Sequence, residues 1–149
     1  MAKPETRKAE DYVLHRGIAL PFNEFEFDPE TGEVTAIMAF RDEHTTGHFP
    51  GNPVVPGHWS VETMAIAAGL AGSDELAASG KVPVLAAIEG ARFKKTLRPG
   101  EEVTVHGELT RKSAVALKGI GRITVGNEVA ATLDGFTVML ADPEQVQNA

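Results

Sequence analysis

The residue types best suited to moving a proton gather in one short stretch. His48 stands in Gly47-His48-Phe49-Pro50-Gly51-Asn52-Pro53-Val54-Val55-Pro56-Gly57, and Glu62 follows in the Ala-rich run that begins at His58. An imidazole titrates at ~6.5 in water and so can serve as a base near neutrality. The prolines and glycines around His48 exclude a regular helix or a central strand, so Arg41 to Pro56 is expected to be an ordered loop that holds the ring in place. Glu62 sits among Val61, Met64, Ala65 and Ile66, and a carboxylate on an otherwise apolar helix needs a chemical or a pairing reason to be there. Gly57 opens the same helix, where a free backbone N–H can face a carbonyl oxygen on which negative charge develops. Base, carboxyl group and amide donor together can form and hold an enolate.

Plainer readings attach to the same residues. A histidine in a Gly/Pro loop also fits a purely structural role. His58 and Glu62, four residues apart, share a helix face, and His44 and His48 have the same spacing in the loop, which raises a metal site as an alternative. A proline-rich turn cannot hold helical spacing and no carboxylate cluster adjoins, so no metal is expected. His15 and His106 lie outside the constellation and are expected at the surface or in a strand. Trp59 and the phenylalanines read as core or tunnel wall, because no basic and aromatic residues interleave as in a stacking platform. Arg92, Lys94, Lys95 and Arg98 form a local basic cluster that is either a solvated strand face or a docking patch for an acidic or phosphorylated partner.

These residues need a scaffold. The chain has 149 residues, 42% apolar and 23% charged, which suits a single globular domain over 1–149 with polar tails at about 1–12 and 142–149. The net charge of −7 argues against nucleic acid as the main partner. No cysteine is present, so neither a disulfide framework nor a thiolate nucleophile is available. A polar N-terminus without an apolar core behind it, and no apolar run long enough to span a bilayer, make a cytoplasmic, soluble protein with no membrane partner the expectation. Val34, Ala36, Met38 and Phe40 alternate at period two after the Asp28 to Gly32 turn cluster, predicting a strand pair with the segment Phe22 to Phe27. His58 to Gly72, apolar nearly all round, predicts a buried helix. Further strands are expected at Val82–Ile88, Phe93–Leu97, Glu102–Thr110, Ala114–Val125 and Glu128–Leu140, with Gly126-Asn127 as a two-residue hairpin loop. Several antiparallel strands and one all-apolar helix fit a sheet wrapped around the helix, with an exposed sheet edge left to bury in a dimer.

The stretch His48 to Gly57, followed by Glu62, resembles the active-site signature of the 3-hydroxyacyl-[acyl carrier protein] dehydratases. The likeness continues more weakly through Ala91-Arg92-Phe93-Lys94-Lys95 and Leu97-Arg98-Pro99-Gly100-Glu101 to the final hairpin, and so covers most of residues 33 to 140. It implies an α+β hotdog fold and a homodimer, with a trimer of dimers as a further assembly, in which each site takes His48 from one subunit and Glu62 from the other. It also implies a (3R)-3-hydroxyacyl substrate tethered through phosphopantetheine to an acidic acyl carrier protein, which favours Arg92, Lys94, Lys95 and Arg98 as the landing patch. In that family's chemistry His48 removes the α-proton, the Gly57 amide holds the thioester oxygen, and Glu62 helps the β-hydroxyl leave. Phe49, Pro56, His58 and Trp59 would line the substrate path, no cofactor is needed, and the product is a trans-2-enoyl thioester for fatty acid or polyketide and aryl-polyene-type synthesis.

An aspartate at position 62 would resemble the related family that also isomerises the double bond, so by that resemblance Glu62 favours plain dehydration. The sequence departs from the family where aliphatic residues usually follow the Pro-Gly and a glutamine stands four residues beyond the acid, because here His58, Trp59 and Ile66 occupy those places. His58 is expected to hydrogen-bond Glu62, and Trp59 to narrow the tunnel or alter its path. Two other functions suit the same scaffold: an acyl thioesterase, and a non-catalytic acyl- or carrier-binding module.

Overall fold

The computed structural model describes residues 3–147. Strands β1 (Glu5–Lys8), β2 (Glu24–Phe27) and β3 (Val34–Ala39) precede helix α1 (Gly57–Leu70) and the short helix α2 (Ser73–Ser79). Strands β4 (Val82–Phe93), β5 (Glu102–Lys112), β6 (Ala116–Val125) and β7 (Glu128–Ala141) follow, and helix α3 (Pro143–Gln147) closes the described chain. The strands form one seven-stranded sheet in the order β1-β2-β3-β5-β6-β7-β4, with every neighbouring pair antiparallel. The sheet curls around α1, which packs against β3, β4, β5, β6 and β7, as the all-round apolar pattern predicted.

The alternation read from β3 holds: Val34, Ala36, Met38 and Phe40 point into the core, and Glu26↔Thr35 and Phe27↔Val34 fix the β2–β3 register. Gly126 takes φ 58° in the β6–β7 hairpin, as expected of its turn. Two expectations change. Residues 5–8, read as part of a polar tail, form β1 against β2, and Ala9 behind them is fully buried. The four residues are too few for periodicity to show, and their pairing is supplied by β2. The outermost tail residues, 1–2 and 148–149, lie outside the described residues.

The second change concerns Phe93–Leu97, which is not a strand. β4 instead runs unbroken from Val82 to Phe93, absorbing the polar Glu89-Gly90 step as register shifts against β7, and beyond it Lys94 and Lys95 both donate their backbone N–H to the Ala130 carbonyl, at 2.7 and 3.1 Å.

Two glycines let α1 sit directly on the sheet. Gly107 of β5 and Gly121 of β6 are cross-strand partners. A Cβ on Gly107 would overlap the backbone of Ala67 and Ala68, and one on Gly121 would come within 2.9 Å of Met64 Cβ. Gly107→Ala must therefore push the helix off the sheet through backbone atoms that cannot rotate away. The expected loss is about 3 kcal/mol, read as a fall in Tm of roughly 10 °C. An unchanged melting curve would contradict this packing.

His106, expected in a strand, lies on β5 near the outer face, 3.3 Å from Glu33 Oε1. Burial, and next the Arg122 guanidinium, push its pKa below the usual imidazole value, against a smaller opposing effect of Glu33. The fold thus prefers the neutral ring, and the stability this contributes is full above pH ~6.5 and lost as pH falls through the lower, folded-state pKa. His106→Gln should lose less unfolding free energy than the parent between pH 7 and pH 5 in urea titrations, by about 1 kcal/mol or less. Parallel pH profiles would contradict that role.

Candidate active site

The loop from Arg41 to Pro56 carries His48 on a backbone tied at both sides: His48 N–H donates to Thr45 O at 2.8 Å, and Val54 N–H donates to His48 O at 2.9 Å. The imidazole Nδ1 lies 2.9 Å from Val54 O. A carbonyl only accepts, so Nδ1 carries the hydrogen and Nε2 keeps a free lone pair. Phe49, half exposed, stacks on the imidazole with ring centroids 4.2 Å apart, across a cis His48–Phe49 peptide.

Pro56 caps α1 without a side-chain bond, and Gly57 N–H, the first of the helix, donates to no described residue. His48 and Gly57 line one cavity of about 430 Å³, together with Ser60, Phe93, Lys94 and Lys95. The Phe93 ring lies close over Gly57, where an added Cβ would meet it at 3.0 Å. A ring nitrogen with a free lone pair and an unused amide donor therefore face the same space, which is what proton removal next to a carbonyl requires.

Glu62 is not in that cavity. Five residues beyond Gly57, it is rotated about 140° around the helix axis, and it lines a second cavity of about 350 Å³ with His58, Trp59, Leu85, Ile88 and Ala19. Within one chain the structure thus joins His48 with Gly57 and separates both from Glu62. The expected His58–Glu62 bond is absent: His58 is exposed and tilted against Trp59, with ring centroids 5.2 Å apart. His15 takes that place, its Nε2 lying 3.0 Å from Glu62 Oε1.

His15 was expected outside the constellation, and the structure corrects this. No sequence spacing could have revealed it, because the contact spans 47 positions and depends on how residues 9–20 fold back over α1.

His44, the other candidate metal ligand, has both ring nitrogens engaged. Nδ1 accepts from Arg41 N–H at 3.0 Å, Nε2–H donates to Ile18 O at 2.9 Å, and the ring edge meets Trp59 at 4.8 Å. Among the described residues no group of three or more His, Asp or Glu side chains is arranged to hold a metal ion. Trp59 is thereby fixed as a half-buried wall of the Glu62 cavity.

The basic residues Arg92, Lys94, Lys95 and Arg98 are all exposed, and Lys94 and Lys95 form the rim of the His48 cavity. Two carry loose partners, Arg92 with Asp134 at 3.4 Å and Lys95 with Glu128 at 3.5 Å. Arg98 is held more firmly, donating to Asn52 Oδ1 at 2.8 Å and to Pro53 O at 3.2 Å, so it braces the His48 loop.

The family model described as the FabA-like domain matches residues 25–134. The chain belongs to that family. The FabA-like chain is 36% identical over 107 residues to a 3-hydroxyacyl-[acyl-carrier-protein] dehydratase FabZ of Novosphingobium aromaticivorans, covering 70% of this chain and 67% of the relative. It is 32% identical over 140 residues to a protein of the same name from Listeria welshimeri, covering 93% and 92%.

Among solved structures it is similar to the fluoroacetyl-CoA thioesterase FlK, with TM-score 0.65 at 18% identity over 78% of this chain and 90% of that one. A thioesterase from Haemophilus influenzae matches at TM-score 0.55 and 21% identity, over 74% and 72%. At such identities the neighbours establish the fold, which is the hotdog fold that the sequence resemblance implied. No helix of the FabA-like chain is long and apolar enough among the described residues to cross a membrane.

Proposed function

We propose that this protein removes water from 3-hydroxyacyl thioesters delivered on acyl carrier protein, giving trans-2-enoyl thioesters for fatty acid synthesis or a related chain-building pathway. The observation that carries the reading is the pairing of a lone-pair Nε2 on His48 with an unused Gly57 N–H in one cavity. The thioester oxygen accepts from Gly57 N–H, which stabilises the enolate formed as His48 Nε2 takes the α-proton. The Cβ–OH bond then breaks, its electron pair leaving with the hydroxyl, and the carboxyl group of Glu62 gives that hydroxyl its proton, so that water departs and a carboxylate is left. Phe49, Pro56, His58 and Trp59 line the acyl path, and the cations at the rim of the His48 cavity suit the acidic carrier.

Glu62 reaches this site from a second copy of the chain. β4 is an edge strand with a free side, and its Val84, Ile88 and Phe93 are 40%, 49% and 55% exposed. Leu85 and Ile88 line the Glu62 cavity, whereas Phe93 at the far end of β4 lines the His48 cavity. Antiparallel pairing of β4 with its own copy about a two-fold axis lays the start of one strand beside the end of the other, bringing the Glu62 cavity of one copy against the His48 cavity of its partner.

The test is mass spectrometry of 3-hydroxyacyl-carrier substrates of several chain lengths incubated with the protein. Loss of ~18 Da, the mass of water, from the acyl carrier is expected. Release of free acid with unloaded carrier would mean hydrolysis, the chemistry of the thioesterase neighbours, and would overturn the proposal. Carrier binding with no change in mass would favour the non-catalytic binding module instead.

A further inference from the structure

We propose that His15 is a positioning residue for the Glu62 carboxyl group. The inference rests on the assignment of Glu62 to the dehydration site. His15 Nε2 meets Glu62 Oε1 at 3.0 Å, with side-chain exposures of 25% and 30%, while the second oxygen, Oε2, has no hydrogen bond among the described residues. With Nε2–H donating to Oε1, that oxygen is pinned and Oε2 is left to carry the acid proton.

The helix itself cannot do this. Ile66, one turn on from Glu62, is buried and apolar, and His58, one turn before it, is turned towards Trp59. Without His15 the carboxylate could swing among rotamers over a wide apolar cavity.

His44 and His15 are held differently, one by backbone groups and the other by a side chain. His44 satisfies both ring nitrogens against backbone groups, as a structural histidine does. His15 touches a single polar partner, Glu62, and its buried Nδ1 has no hydrogen-bond partner among the described residues.

The segment behind it is also held rigid. Arg16 donates to the carbonyls of Val13 and His15 at 2.7 Å and of Glu10 at 3.0 Å. Arg41 holds Gly17 O at 2.9 Å, His44 holds Ile18 O, and Val13 and Leu20 on either side are buried. The result is a braced arm that presents one imidazole nitrogen to one carboxylate oxygen.

The test compares His15→Leu, which fills the space without a donor, with His15→Gln, which restores an N–H at similar reach. Both are assayed on the 3-hydroxyacyl-carrier substrate that the parent turns over fastest. His15→Leu is expected to lower kcat by about 10- to 100-fold with KM within about two-fold, since misplacement of a reacting group acts on turnover. His15→Gln should recover most of that loss. In a Glu62→Gln background, His15→Leu should change kcat by less than about two-fold, because its effect passes through the carboxylate.

Equal loss in the Leu and Gln variants, a loss carried by KM and melting temperature, or full additivity with Glu62→Gln would each overturn the positioning role. Near-parental turnover in Glu62→Gln alone would overturn the assignment of Glu62 itself, whatever His15 does.

Discussion

His48→Ala should lower turnover of 3-hydroxyacyl-carrier substrates by at least ~100-fold, the usual contribution of a placed general base. Among the described residues no second imidazole lines the cavity that holds Gly57. The other polar side chains there are Ser60, Lys94, Lys95 and Thr96, none of which offers a neutral nitrogen base of suitable strength. The fold should survive, because the loop is fastened by backbone bonds from His48 to Thr45 and Val54 that alanine retains. The side chain takes with it the bond to Val54 O, worth about 1 kcal/mol, and the stack on the half-exposed Phe49 ring. A melting temperature within a few degrees of the parent, together with lost exchange of the substrate α-proton into deuterated water, would separate chemistry from unfolding. Near-normal turnover would remove His48 from the mechanism.

Local patterns that carry their own physical reason were readable from the sequence. Proline and glycine density marked the His48 loop, all-round apolarity marked α1, and period-two alternation marked β3. What depended on distant chain was not readable. β1 exists because β2 offers it an edge, and β4 continues through Glu89-Gly90 because β7 tolerates shifts of register. The same limit hid the partner of Glu62. Helical spacing nominated His58, four residues away on the same face, yet the ring of His58 lies against Trp59 and an imidazole from the folded-back N-terminal arm fills its place. Spacing along a helix shows which residues can meet, whereas the tertiary route of another segment decides which one does. Even the separation of His48 from Glu62 has this character: Gly57 and Glu62 both stand in the first two turns of α1, and the turn of the helix sends Glu62 away from the cavity that Gly57 shares with His48.

That separation leads to the second large effect. Glu62→Gln keeps the shape of the side chain and removes its acid function, so turnover should fall by roughly 10²- to 10⁴-fold. Mixing then tests where each site is built. If every site takes His48 from one chain and Glu62 from its partner, a heterodimer of His48→Ala and Glu62→Gln chains holds one doubly damaged site and one intact site. Random reassembly of equal amounts makes about half the dimers mixed, so activity should return to roughly a quarter of the parent level from two nearly inactive proteins. Heterodimers purified with two different affinity tags should show roughly half the parent activity per dimer. If instead each site were contained within one chain, every site in the mixture would keep one lesion and no activity would return. Recovery is expected to fail as well when a bulky charge blocks the free side of β4, because in the proposed dimer that edge strand, with its exposed Val84, Ile88 and Phe93, lies between the two half-sites.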